Sequence, residues 1–109
     1  MANNYKNAKV DLTTTNLTTL YTCPSATTAI VKSILVSEDS GNADTLTVTL
    51  IDAASSPATF SLFKVKAVSA NGTVELLSAP LVVQEGEILK VQAATAGRLH
   101  VVASFLETS

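Results

Sequence analysis

Apolar and polar residues alternate along several stretches of this chain, which is the pattern of β-strands with one buried face. From Thr45 to Leu50, threonines occupy the odd positions, and Leu46, Val48 and Leu50 occupy the even ones. Successive side chains of a strand point to opposite faces, so this segment presents one apolar and one polar face. No stretch carries apolar residues at the helical period over three turns. The pattern therefore predicts an all-β protein.

Threonine content strengthens this prediction. Eight of the sixteen residues from Thr13 to Thr28 are threonine, and its branched Cβ favours strands over helices. Short strands at a spacing of about 8–12 residues are typical of a single β-sandwich, of which the jelly roll is one form. We predict about eight short antiparallel strands, at 9–14, 17–22, 28–38, 44–53, 58–69, 73–78, 86–95 and 98–107, with a short extended piece at 81–84.

One turn signal stands out among the segments between these strands. Asn71-Gly72 follows the fifth predicted strand and precedes the sixth. An Asn-Gly pair favours a two-residue hairpin turn of type I′, in which both residues have positive φ. We therefore predict a hairpin at this position.

Two predicted strands carry apolar residues on both faces. In 28–38, Ile30, Ile34 and Val36 share one parity, and Val31 and Leu35 share the other. In 98–107, Val102 and Leu106 lie opposite the apolar face formed by Leu99, Val101, Ala103 and Phe105. A strand that is apolar on both faces must be covered on both sides, whereas a two-layer sandwich covers only one. A local twist or covering loop and an interface between subunits are both open explanations.

Between 58 and 68 the alternation changes phase. Phe60 and Leu62 share one parity, and Phe63, Val65 and Ala67 share the other. A β-bulge inserts one extra residue into a strand and would reconcile the two halves. We therefore predict a bulge near Leu62 and Phe63.

Residues 1–8 are expected to form a polar N-terminal arm that precedes a single sandwich domain over 9–109. Three of the first seven residues are asparagine, and the segment has no apolar pattern. Such an arm either frays in solvent or becomes ordered against a neighbouring molecule. The sequence leaves both alternatives open.

Composition narrows the functional classes. The chain has 109 residues, of which 47% are hydrophobic and 15% charged, and its formal net charge is −2. We expect no nucleic-acid partner, because no excess of basic residues is available to bind phosphates. We expect no membrane span, because no run approaches the roughly 18 apolar residues that cross a bilayer. We expect no secretory signal, because the first residues, MANNYKN, lack its apolar core. The low charge favours burial of some apolar surface in an assembly.

Catalytic and metal-binding chemistry has few candidates. His100 is the only histidine and Cys23 the only cysteine. Neither belongs to a pattern of nucleophile, base and orienting group of the kind that catalysis requires. We interpret His100 as a solvated or interface histidine and Cys23 as a small buried thiol. We therefore predict no catalytic residue, no cofactor and no metal site, and a protein that is not an enzyme.

The loop from Glu38 to Asp44 concentrates possible oxygen ligands. Calcium sites place six to eight oxygens at regular spacings around a glycine. Here Gly41 is displaced from that position, and no glutamate follows at the required distance. A solvated turn and a weak cation site are both open, and the spacing favours the turn.

A set of strand and turn motifs runs from Leu20 to Glu107. Its parts are LYTCP at 20–24, TTAIVKSILVS at 27–37, PLVV at 80–83, EGEILKVQ at 85–92, GRL at 97–99 and SFLE at 104–107. In these motifs the chain resembles small all-β virion proteins of tailed bacteriophages, especially phages of cyanobacteria and other aquatic hosts. The motifs describe strands and turns, so the resemblance indicates a structural family and no catalytic chemistry.

The resemblance implies a structural subunit on the surface of the virion head, synthesised in the host cytoplasm. The implied role is a head decoration (cement) protein that binds the major capsid protein and stabilises the head. Cement proteins commonly occupy three-fold sites, so the resemblance also implies a homo-oligomer and, in particular, a homotrimer. A neck, tail or fibre component and a host-surface binding module are the alternatives.

Residues for these contacts can be named from the predicted strands. The subunit contact is predicted at Val102 and Leu106, with Ile30, Ile34 and Val36 as the alternative face. The polar arm is predicted to contact the capsid protein by backbone pairing and hydrogen bonds, through Asn3, Asn4, Tyr5 and Lys6.

Overall fold

The computed structural model describes residues 3–52 and 58–108. Every regular element within these ranges is a β-strand. The prediction of an all-β chain is confirmed. Residues 1–2 of the predicted arm, residue 53 of the fourth predicted strand and residue 109 lie outside the described residues. The strands are β1 (Asn3–Asp11), β2 (Thr18–Thr22), β3 (Thr28–Glu38), β4 (Asp44–Asp52), β5 (Ala58–Val68), β6 (Thr73–Glu75), β7 (Leu81–Val83), β8 (Ile88–Ala93) and β9 (Leu99–Thr108).

The strands form two antiparallel sheets that enclose one core, and the predicted β-sandwich is confirmed. The front sheet has the order β1-β9-β3-β6, with β7 also paired with β3. The back sheet has the order β2-β8-β4-β5. The chain stays within one sheet at the β4–β5 hairpin and at the step from β6 to β7. Its other connections pass from one sheet to the other.

The core lies between the sheets and consists of alternate, inward-facing residues. Burial of these aliphatic side chains is the main force that holds two sheets together. The front sheet contributes Ala29, Val31, Ile34, Val36, Val83, Leu99, Val101, Ala103 and Phe105, and the back sheet contributes Leu20, Tyr21, Leu46, Val48, Val68, Leu89, Val91 and Ala93.

A β-bulge in β3 decides which of its apolar residues reach the core. The pairing of β3 with β9 shifts register between Val31 and Ser33, so the inward positions change from odd to even. Ile34 and Val36 are therefore buried at 0% exposure, whereas Ile30 is only half-buried. The prediction that these three residues form one interface face is wrong for Ile34 and Val36. The strict alternation on which it relied does not continue through the bulge.

Strand β5 contains two register shifts against β4, one on either side of Phe63. The predicted bulge near Leu62 and Phe63 is confirmed. The second shift includes Val65, which has a φ of 53° and donates its N–H to Thr47 Oγ1 at 3.1 Å. This edge of the back sheet is consequently irregular.

The Asn71-Gly72 segment forms a turn, but the predicted type I′ hairpin is wrong. Gly72 N–H donates to the carbonyl of Ser69 at 2.9 Å, which makes Ala70 and Asn71 the central residues of the turn. Asn71 has a φ of 57°, and Gly72 is not in the positive-φ region. The flanking strands β5 and β6 belong to different sheets, so this turn redirects the chain across the sandwich.

The predicted polar arm is wrong for residues 3–8, which belong to β1. The pairing with β9 runs without a shift from Asn3 opposite Thr108 to Asp11 opposite His100. The hydrogen bonds of a ladder come from the main chain, so polar side chains do not prevent this pairing. Only Ala8 and Val10 of β1 pack against the core, and so few apolar contacts leave little pattern to read in the sequence.

Candidate functional site

The outward side of the front sheet carries an apolar row that crosses four strands. In the register of these strands, Tyr5 lies opposite Leu106, Leu106 opposite Ile30, and Ile30 opposite Val82. Residues directly opposite one another lie on the same face of a sheet. Tyr5 is 76% exposed and Val82 is 50% exposed. We call Tyr5, Ile30, Val82 and Leu106 the apolar row.

A second apolar pair lies further along the same face. Leu35 is opposite Val102, and Leu35 is 41% exposed. Asn7, Ser104 and Ser33 form a polar line between this pair and the apolar row. The outward side of the front sheet, which we call the front face, therefore presents two apolar patches separated by polar groups.

Three of the five residues predicted for the subunit contact lie on the front face. Val102, Leu106 and Ile30 are all half-buried there, whereas Ile34 and Val36 are in the core. Tyr5, Leu35 and Val82 belong to the same face and were missed. The predicted extended piece at 81–84 corresponds to β7, but its position beside β3 depends on pairing between distant segments.

The residues predicted to contact the capsid protein from a free arm are held in β1. Asn3, Asn4, Tyr5 and Lys6 pair with the last residues of β9. Lys6 Nζ lies 2.9 Å from Glu107 Oε1, and Lys32 Nζ lies 5.7 Å from the centre of the Tyr5 ring. Tyr5 is thus exposed on the front face, while Lys6 is bound within the subunit.

A buried polar contact ties the back sheet to the front sheet behind this region. The Tyr21 hydroxyl donates to Glu107 Oε2 at 2.5 Å, and the Tyr21 ring packs on Phe105 with the ring centres 4.3 Å apart. Burial and the hydrogen bond to Glu107 raise the pKa of Tyr21. The hydrogen bonds from Tyr21 and Lys6 lower the pKa of Glu107. The proton therefore stays on the phenol, and the pair is a fixed structural link between the sheets.

Glu38 organises the loops at the opposite end of β3. Its carboxylate accepts hydrogen bonds from the backbone N–H groups of Ser40 at 2.7 Å, Gly41 at 3.0 Å and Asn71 at 2.9 Å, and from the Ser40 hydroxyl. Burial alone would raise the pKa of Glu38, but these hydrogen bonds lower it to about 2. The Glu38 oxygens thus bind amides of their own chain, as expected for the turn rather than for a cation site.

Stability should depend on the ionisation of Glu38. Its pKa is lowered in the folded state, so its stabilising contribution is present above the ordinary glutamate pKa and is lost as the pH falls towards 2. We expect Glu38→Gln to lower the Tm by several degrees at neutral pH, with a difference from the unmodified chain that shrinks below pH 4. Thermal unfolding followed by circular dichroism between pH 2 and pH 7 measures both effects.

The matched control for this prediction is Ser40→Ala, which removes one donor to Glu38 and leaves the three backbone donors in place. A smaller loss with the same pH dependence is expected. A Glu38→Gln variant with the Tm of the unmodified chain at every pH would contradict the assignment.

His100 lies between two carboxylates near the same end of the molecule. Its Nε2 is 3.1 Å from Asp11 Oδ1, and its Nδ1 is 3.5 Å from Asp39 Oδ2. Its interactions therefore connect β9 to β1 and to the loop after β3. Cys23 is buried, as predicted, its Sγ donates to the Thr27 carbonyl at 3.3 Å, and burial raises the pKa of the thiol.

Residues 3–52 and 58–108 contain no group of three or more His, Cys, Asp or Glu side chains arranged to hold a metal ion. Within the same residues there is no helix long and apolar enough to cross a membrane. Comparison with protein-family models and with curated protein sequences gives no significant match.

Proposed function

We propose that this protein is a structural subunit of a bacteriophage virion, and that it acts as a head decoration protein bound to the major capsid protein. The motifs between Leu20 and Glu107 that resemble phage virion proteins motivate the role. The all-β fold and the exposed apolar residues of the front face support a protein whose work is contact rather than catalysis. A location on the head surface belongs to the same proposal.

The strand order also supports the jelly-roll interpretation. When β6 and β7 are counted as one interrupted strand along β3, the sandwich has two four-stranded sheets with almost all connections between them. Jelly rolls are double sheets of eight strands built from two Greek keys, and they are common in viral capsid proteins and lectins. The same fold serves many functions, so the role is argued from the exposed surface.

The apolar row on the front face is the observation that carries the proposal. Large exposed apolar patches commonly mark contacts with other proteins. Burying one large aliphatic side chain contributes about 1.5–3 kcal/mol. Closed rotational symmetry is the usual way for identical chains to cover such a face. We propose a homotrimer held through the front face, with the capsid protein as the second partner and with no cofactor.

The location can be tested on the virion itself. Antibodies against the chain, visualised with gold by negative-stain electron microscopy of the phage whose genome encodes it, should label the head surface. Label on the neck, tail or fibres would overturn the decoration role in favour of that alternative. Selective binding of the purified chain to a glycan array, without binding to heads, would instead indicate a host-surface module.

Charged residues on the front face should break self-association. We expect Val102→Asp and Leu106→Asp to raise the dissociation constant of the oligomer at least about tenfold, equivalent to roughly 1.4 kcal/mol, because each places a charge in an apolar contact. Sedimentation velocity across a concentration series measures this change. Thr19→Asp is the control, because Thr19 is exposed on β2 in the back sheet. Equal effects of the three substitutions would contradict a specific front-face contact.

A further inference from the structure

The outer edge of β1 presents a regular series of backbone groups that point away from its neighbour. Leu12 N–H donates to the Leu99 carbonyl at 3.0 Å, in the same register that places Val10 opposite Val101. Hydrogen-bonded and non-hydrogen-bonded pairs alternate along an antiparallel ladder. The even-numbered residues of β1 therefore bond to β9. The N–H and C=O groups that face outward belong to Asn3, Tyr5, Asn7, Lys9 and Asp11.

The other three sheet edges are interrupted within the described ranges. Strands β6 and β7 have three residues each and are separated by a segment that contains Pro80. Strand β5 has two register shifts, and β2 has five residues with a shift between Thr19 and Tyr21. Short, bulged or proline-broken edges prevent the addition of a further strand. Strand β1, with nine residues in one unbroken register, has none of these features.

We propose that β1 pairs with β1 of a second copy of this chain, antiparallel, about a two-fold axis that passes by Asn7. The two front sheets then become one continuous sheet, and each subunit uses the same surface. This is the isologous contact that most homodimers have. It forms main-chain hydrogen bonds for the outward-facing groups of Tyr5, Asn7 and Lys9.

Side-chain charge selects this register. Outward-facing residues must lie opposite one another, so the two residue numbers in each pair add up to an even number. The pairing centred on Asn7 overlaps the whole strand from Asn3 to Asp11 and places Lys9 beside the Tyr5 ring of the second copy. Lys6 then faces Ala8. In this register no like charges lie directly opposite each other. Like charges in opposite positions would destabilise the pair.

Neighbouring registers are less favourable. A shift that centres the pairing on Lys6 places two lysines directly opposite each other, and it leaves Val10 and Asp11 outside the overlap within β1. A shift that centres it on Ala8 also shortens the overlap. The Asp11 carbonyl, which would face Asn3 of the second copy, already accepts from Thr13 N–H at 2.9 Å, so pairing is expected to be strongest between Tyr5 and Lys9.

This inference rests on the self-association in the proposed function, but it does not need the virion role. The edge contact uses the main chain of β1, whereas the front-face contact uses side chains of four strands, and only Tyr5 takes part in both. A subunit with a two-fold edge contact and a three-fold face contact can link trimers to one another. If Leu106→Asp abolishes the trimer and leaves the edge contact intact, the trimer depends on the front face and the edge contact is independent of it.

Cysteine cross-linking tests the contact and its register. In a hydrogen-bonded pair the opposite Cα atoms are about 5.5 Å apart, which is within the disulfide range. Asn7→Cys should therefore form a disulfide-linked dimer under mild oxidation at least about tenfold faster than Lys9→Cys, whose Cα atoms would lie on the order of 14 Å apart. The unmodified chain controls for Cys23, which is buried.

A second variant tests the hydrogen bonds without a cross-link. Asn7→Pro removes an outward-facing N–H. It leaves the hydrogen bonds to β9 in place, because these come from the even-numbered residues of β1, and proline is tolerated at such a position of an edge strand. The dissociation constant of the dimer should rise at least about tenfold in sedimentation equilibrium, while the circular dichroism spectrum is unchanged. Equal cross-linking of Asn7→Cys and Lys9→Cys, or folded Asn7→Cys that does not cross-link, would overturn the proposal. If the front sheet instead accepts a strand of another protein, Asn7→Cys would fold but would not cross-link with itself.

Discussion

Deletion of residues 1–8 will destabilise the folded domain rather than release a dispensable arm. The deletion removes most of β1, so the edge of β9 between Ala103 and Thr108 loses its hydrogen-bonded partner. The Lys6–Glu107 ion pair is also lost. We expect the free energy of unfolding to fall by on the order of 3–5 kcal/mol, because each net backbone hydrogen bond contributes about 0.5–1.5 kcal/mol. A domain of this size has only ~5–15 kcal/mol in total.

Urea unfolding followed by far-ultraviolet circular dichroism measures this loss. The control is Asn4→Ser combined with Asn7→Ser, which changes exposed side chains of β1 and leaves its main chain intact. We expect the control to unfold at the urea concentration of the unmodified chain. A deletion variant that unfolds at this same concentration would show that β1 contributes nothing to the folded domain.

Ile34→Ala should be the most damaging of the conservative substitutions in β3. The Ile34 side chain is buried at 0% exposure, and truncation of a buried isoleucine to alanine costs about 2–5 kcal/mol through lost burial and the resulting cavity. Ile30→Ala, on the front face of the same strand, should cost less than about 1 kcal/mol in the isolated subunit.

The contrast between these two variants tests the bulge. Chemical unfolding below the concentration at which subunits associate measures both losses without a contribution from assembly. If the strand alternated regularly, Ile30 and Ile34 would share a face and would give similar losses. Similar losses would therefore contradict the register shift between Val31 and Ser33.

Strands with one face in the core could be predicted, because apolar side chains on the buried face alternate with polar side chains on the exposed face. Thr28–Glu38 begins and ends at the predicted residues, and the alternation matches the burial pattern of β4 from Thr45 to Val48, after which Thr49 is also buried. The bulge beside Phe63 was also visible, because the phase of the apolar residues changes there. In β3 the same kind of shift was hidden, because apolar residues on both faces fit either phase.

Pairing between distant strands could not be predicted in the same way. Strand β1 is held largely by its main chain, which leaves no apolar pattern. The apolar row of the front face forms only because β1, β9, β3 and β7 are neighbours in one sheet. Val102 and Leu106 were found from their own strand, whereas Tyr5 and Val82 required the order of the strands. The contacts of Glu38 depend on a turn more than thirty residues away.

The central position of β9 in the front sheet has a consequence for the synthesis of the protein. Strand β9 comes last among the described strands, and it lies between β1 and β3. The first strand must therefore wait for residues about a hundred positions later before it gains its partner. Folds with such distant pairings fold in milliseconds to seconds rather than microseconds, because long loops must close first. On the ribosome, β1 therefore cannot join the front sheet until β9 has left the exit tunnel, whereas β3 can pair with β6 and β7 before that point.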